Sequence, residues 1–154
     1  LKFAFVLIVF TVIAACSQGE HSEGGEGEMT EDGLYVQADA HGKNGRIIVE
    51  ATVGNGGDDP VELQFNTSQR IEVRLFEKGK PEQTVYRSSQ EMMYNQVLGT
   101  LTLDPGEAST FNEEIPSMYV TDGGSYEGEV HITVDRINDE DAPTKPSGSF
   151  AVDM

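Results

Sequence analysis

Three histidines are the first candidates for acid–base work: His21, His41 and His131. His21 sits in a Gly- and Glu-rich stretch, His41 stands beside Gly42, and His131 lies between Val130 and Ile132. On a strand, that alternation turns His131 toward solvent. None stands in a nucleophile motif, and no G-x-S-x-G elbow occurs. No catalytic residue is assigned, and the chain is not expected to be an enzyme. Asp135, Asp139, Glu140 and Asp141 carry hard oxygen donors of the kind calcium takes. Their spacing lacks the glycine and the closing glutamate of the EF-hand loop, so they read as a solvated acidic loop. Asp58-Asp59 before Pro60 reads as a turn. No metal or cofactor is expected. A single cysteine excludes an intramolecular disulfide and a Cys-based zinc site.

That cysteine, Cys16, has a different chemistry within reach. From Phe3 to Ala15 every residue but Thr11 is apolar, and Lys2 precedes the run. The run is too short for a membrane-spanning helix, which needs about 20 residues. It fits the apolar core of an export signal. Leu1, where an initiating Met is expected, is read as a non-AUG start. Ile13-Ala14-Ala15-Cys16 resembles the lipobox of bacterial lipoproteins. The small residues suit a narrow peptidase pocket, and the resemblance implies that the Cys16 thiol receives diacylglycerol. Two or three acyl chains anchor stably where one is marginal. Residues 1–15 are therefore expected to be a signal peptide, with the protein extracytoplasmic and lipid-anchored to the cell membrane. Residues 16–33 then form the lipidated Cys and an acidic, Gly-rich tether, too polar to offset ordering entropy.

The chain has 27 acidic residues against 10 Lys and Arg, a formal charge of −17. Such a surface repels a phosphate backbone, so no nucleic-acid partner is expected. An acid excess also suits work in high salt, where screening shortens repulsion. The bases are not evenly spread: Arg70, Arg74, Lys78, Lys80 and Arg87 cluster, opposed there by Glu72, Glu77 and Glu82. They form either a docking patch, a strip facing anionic lipid, or internal charge balance on a solvated sheet. Arg70, Glu72 and Arg74 are expected to share one strand face. Met92, Met93 and Tyr94 are a second candidate contact, since adjacent methionines suit an adaptable binding surface; the alternative is that they plug one end of the fold.

From Leu34 onward the pattern has period two. Leu34, Val36 and Ala38 alternate with polar residues, as do Ile47–Val53, Val61–Phe65 and Ile71–Leu75. Further strands are expected at Thr84–Ser88, around Leu101 and Leu103, at Ser109–Glu114, through Tyr126–Val134, and around Phe150 and Val152. Asp104-Pro105-Gly106-Glu107 is a turn. About eight such strands predict an all-β, two-sheet antiparallel sandwich over residues 34–154. Ser89–Leu98 has the one helical pattern, a short helix or loop insertion. Residues 138–149 read as a mobile connection.

An ordered series of motifs then carries a family resemblance. It runs through Asn55, Pro60–Phe65, Ser68-Gln69, Val73, Tyr86–Ser89, Tyr94–Leu98 and Leu103–Glu107. Together these resemble the BsuPI-type intracellular proteinase inhibitor domain. The sequence departs from the pattern at Thr67, and at Ser88, where an aromatic is common. The resemblance implies an immunoglobulin-like sandwich and a protein partner, a subtilisin-type serine protease. An exposed loop or edge strand would occupy the cleft, with Glu77–Gln83 and Ser89–Leu98 as the segments in view. The alternative is a non-inhibitory structural or assembly module of the cell envelope.

Overall fold

The computed structural model describes residues 25–154. Cys16 and the apolar leader lie outside them. The strands are β1 (Gly25–Glu26), β2 (Leu34–Lys43), β3 (Arg46–Asn55), β4 (Val61–Phe65), β5 (Ile71–Glu77) and β6 (Thr84–Arg87). One helical turn, α1 (Ser88–Glu91), follows. Then come β7 (Gly99–Leu103), β8 (Ala108–Ile115), a 3₁₀ turn (Ser117–Tyr119), β9 (Ser125–Ile132), β10 (Arg136–Ile137), β11 (Glu140–Asp141) and β12 (Ser147–Asp153).

The period-two pattern becomes burial directly. Leu34, Val36, Ala38 and Ala40 of β2 are buried, and so are Ile47, Val49, Ala51 and Val53 of β3. Asn44-Gly45 joins these strands, both at positive φ, the two-residue turn whose twist matches a hairpin. One layer runs β1-β2-β3-β8, antiparallel throughout. The orders β12-β9-β5-β6 and β11-β10-β4-β7 make up the rest.

These two smaller sheets are halves of one layer. β9 pairs with β5, and its continuation β10 pairs with β4. Between them Thr133 N donates to Arg70 O at 3.0 Å, and Asp135 N to Gln64 O at 2.8 Å. The central strand line is therefore interrupted only by a bulge at residues 66–70. The edge line made by β6 and β7 is interrupted beside it, at residues 88–98. Val61, Leu63, Phe65, Val73, Leu75, Val130, Ile132 and Phe150 face the first layer and complete the core of the sandwich.

Three local expectations change. Residues 25–33, read from composition as tether, begin the fold: β1 pairs with β2, and Thr30 bonds Leu34 N at 3.1 Å. Glycine makes this approach possible, because a Cβ on Gly27 would lie 1.9 Å from Ser147 O. Ser89–Leu98 is not a ten-residue helix. After one turn Met92 is extended (φ −113°, ψ 147°), since so short a helix with no side-chain cap has little to propagate it. Residues 138–149 are tied down as well. β11 folds back on β10, Asn138 Oδ1 accepts from Glu62 N at 2.9 Å, and Ala142 is buried.

Candidate functional site

The sandwich has a closed side, where β12 meets β1 and β2, and an open side, where β6 and β8 are the two layers' last strands. The open side carries the 88–98 insertion. On β8 the odd residues point inward: Ser109, Phe111 and Glu113 are half-buried and Ile115 is fully buried. Glu113 is thus a carboxylate at a core-facing position. Its Oε1 accepts from Tyr86 Oη at 2.6 Å and from Ser88 Oγ at 2.6 Å. Ser88, fully buried where an aromatic is common in the resembling pattern, also accepts from Val73 N at 2.8 Å. A hydroxyl there ties the root of the insertion to both layers.

Burial raises the Glu113 carboxyl above the ordinary carboxylate range, the two hydroxyl donors oppose this, and the Glu72 charge adds to it. Tyr86 is pushed well up by burial and then by its bond to Glu113. Burial also raises Tyr94, with the Glu113 and Glu72 charges adding. Tyr86 stacks edge-on against Tyr119 at 5.1 Å, and Tyr119 Oη bonds the Glu91 carboxylate, which raises its pKa. Glu72 Oε1 accepts from Ser89 Oγ at 2.8 Å. The network holds the start of the insertion from three elements.

Beyond Ser88 the insertion is mostly exposed. Met92 is half out, and Met93 is 100 % exposed, as are much of Val97 and Leu98. They do not plug the sandwich. Met92 and Tyr94 line an open depression of about 700 Å³ with Arg70, Phe111 and Glu113, while Met93 points away from it. Beyond Tyr94 the loop is clamped to the central bulge: Asn95 N donates to Ser68 Oγ at 2.9 Å, and Ser68 N to Asn95 O at 2.8 Å. The two interruptions of the layer thus hold each other.

The five clustered bases do not form one patch. Arg70 sits in the bulge rather than on β5, with its guanidinium 4.5 Å over Phe65 and bonded to Thr67 O at 2.7 Å. Glu72 and Arg74 share a face of β5. Arg74 reaches Glu129 at 3.3 Å and Thr84 Oγ1 at 3.0 Å. Lys80 pairs with Glu77. Lys78 and Lys80 belong to the β5–β6 hairpin tip, about 25 Å of strand from Arg70, and Arg87 lies opposite Arg74. Three of the five are therefore held by the chain itself. The acidic loop is likewise engaged: Asp135 accepts from Asn66 N at 2.8 Å and Asp139 from Gln64 Nε2 at 2.7 Å. Among the described residues no group of three or more His, Cys, Asp or Glu is arranged to hold a metal ion.

Sequence reasoning missed Tyr86, Ser88, Glu113 and Tyr119. A charged residue at inward parity on β8 was the available signal for Glu113. For Ser88 it was the departure from the aromatic pattern.

The fold is a two-layer antiparallel sandwich with a pinned, exposed insertion on one edge, a β-sandwich module. Residues 34–137 match the model of the BsuPI intracellular proteinase inhibitor, and the chain belongs to that family. No curated protein matches the chain. The matched region ends before β12, although Phe150 and Val152 of that strand lie in the core. Membership of an inhibitor family points to a non-catalytic protein.

Proposed function

We propose that this protein is a proteinase-inhibitor-like module, lipid-anchored through Cys16 outside the cytoplasm, whose 88–98 insertion occupies the cleft of a serine protease of the subtilisin type. The observation that carries this reading is the insertion: an exposed Met92–Tyr94 stretch, extended at Met92, lying between two fixed points. Protease clefts take extended backbone by strand addition. A segment already held in shape loses less conformational freedom on docking than a free one. The Glu77–Gln83 hairpin suits the cleft less. Lys80 N bonds Glu77 O at 2.9 Å and Gln83 N bonds Lys80 O at 3.0 Å, so its backbone is coiled into successive turns. The family's description names an intracellular inhibitor; the apolar leader and Cys16 support a location across the membrane instead.

The test is a titration of the purified full chain against a subtilisin-type protease, reading residual activity on a small chromogenic substrate. Saturable, near-stoichiometric loss of activity, with the chain intact on a gel, is the expected result. Undiminished activity at excess protein would overturn the inhibitor reading and leave an envelope-binding module.

A further inference from the structure

We infer that Met93 enters the primary specificity pocket of the protease, so that the partner enzymes are those whose pocket is deep and apolar. This inference rests on the proposed inhibitor function and names the residue that sets its selectivity.

The argument is one of elimination among exposed side chains. The large apolar groups that project strongly from the described surface are Met29, Met92, Met93, Val97, Leu98 and Met118. Met118 lies in the 3₁₀ turn, whose coiled backbone does not add to a strand. Met29 precedes β2 on the closed side of the sandwich. Val97 and Leu98 follow the Asn95 clamp, and Val97 N is folded back onto Asn95 O at 3.0 Å. Met92 is only half exposed and turns with Tyr94 into the depression.

Met93 alone combines full exposure with a place between two fixed points. Upstream, Met92 N bonds Ser88 O at 2.9 Å, and Ser88 is locked to Val73 and Glu113. Downstream, Asn95 is held by two bonds to Ser68. The backbone is extended at Met92, and Met92 and Tyr94 line the depression while Met93 does not. Met93 is thus the most exposed side chain of the stretch, with Met92 half covered and Tyr94 partly buried beside it. An unbranched thioether fills an irregular apolar pocket well. The basic candidates for an acidic pocket, Lys78 and Lys80, stand on the bent hairpin tip instead.

The experiment compares inhibition constants of the full chain and three variants, Met93→Asp, Met93→Lys and a Lys78→Ala/Lys80→Ala double. Two enzymes are used, one with an apolar specificity pocket and one of the trypsin type with an acidic pocket. Because Met93 is fully exposed, thermal melting should show that every variant folds as wild type does. Against the apolar-pocket enzyme, Met93→Asp should weaken inhibition about 30-fold or more, the size of a hot-spot loss. Met93→Lys should lose that enzyme and gain inhibition of the trypsin-type one. The double variant should behave as wild type. Wild-type inhibition that survives unchanged in both Met93 variants would overturn this inference and leave the inhibitor function standing. Loss confined to the Lys78→Ala/Lys80→Ala variant would overturn it in favour of the hairpin tip. Absence of wild-type inhibition would remove both.

Discussion

The two sides of the sandwich are built from opposite materials. On the closed side, backbones pass so near one another that glycine is needed: Gly25 and Gly27 run against Ser149 and Ser147, and Gly148 against Val36 and Ala38. Phe150 lies across Gly128, its partner in register. On the open side the layers are spread and joined by long side chains meeting at Glu113, with apolar residues left outside. The difference teaches where stability and contact reside. Close backbone packing and apolar burial are what a side needs if it must only hold. A partly wet hydroxyl–carboxylate network positions an exposed segment at less cost than a charge without partners would carry.

The sharpest way to break the comparison is on the closed side. Phe150→Ala should cost about 4 kcal/mol by leaving a cavity over Gly128, seen as a lowered urea midpoint with an unchanged slope. Protease inhibition by the folded fraction should be preserved.

Glu113→Ala should cost about 2 kcal/mol, since the Tyr86 and Ser88 hydroxyls lose their acceptor. Its pH behaviour has a definite sign. Burial raises the folded-state pKa of Glu113 above its unfolded value, so the native state binds its proton more tightly. Wild-type stability should therefore fall as pH rises from the ordinary carboxylate range through the raised value. In Glu113→Gln that part of the slope should vanish. Identical slopes in urea melts of the two proteins at several pH values would remove the buried-carboxylate account.

On the insertion the effect on stability should be smaller still. Peroxide turns exposed Met93 into a polar sulfoxide. This should lower inhibition while stability moves by less than about 0.5 kcal/mol. A Met93→Leu variant should resist the loss of inhibition, and equal sensitivity in that variant would place the oxidised residue elsewhere.

The smallest expected effect spans both sides. With a formal charge of −17, added salt should raise the melting temperature by screening self-repulsion. A flat or falling curve would discard the high-salt reading.

Much of this layout was legible from period two alone. β2, β3, β4, β5 and β9 each bury alternate apolar residues, and a one-residue slip would expose the whole set. The insertion was harder. Ser89–Leu98 shows helical spacing, but a lone helix needs a face to bury, and here Met93 and Leu98 have none. Two-residue strands such as β1, β10 and β11 leave no period to read. They form because a neighbouring strand already offers free backbone groups. The candidate site stayed hidden for a related reason. Glu113 resembles every other acid in this acidic chain until β8 turns it inward, and Tyr86 and Ser88 reach it only across the gap between layers. Low sequence complexity misled at residues 25–33, where glycine signals close packing rather than slack.

On the proposed lipid anchor at Cys16, the early start of β1 would limit how far the domain travels. With lipid on Cys16, only residues 17–24 separate the bilayer from Gly25. Eight residues reach at most roughly 30 Å, about the width of a small domain. So anchored, the module would sample a thin shell over the membrane rather than a volume. A protease confined to the same shell would meet it at a high effective concentration, whereas one diffusing freely above would meet only the few copies within reach. On that proposal, the position of one two-residue strand would make the protein a guard of surfaces.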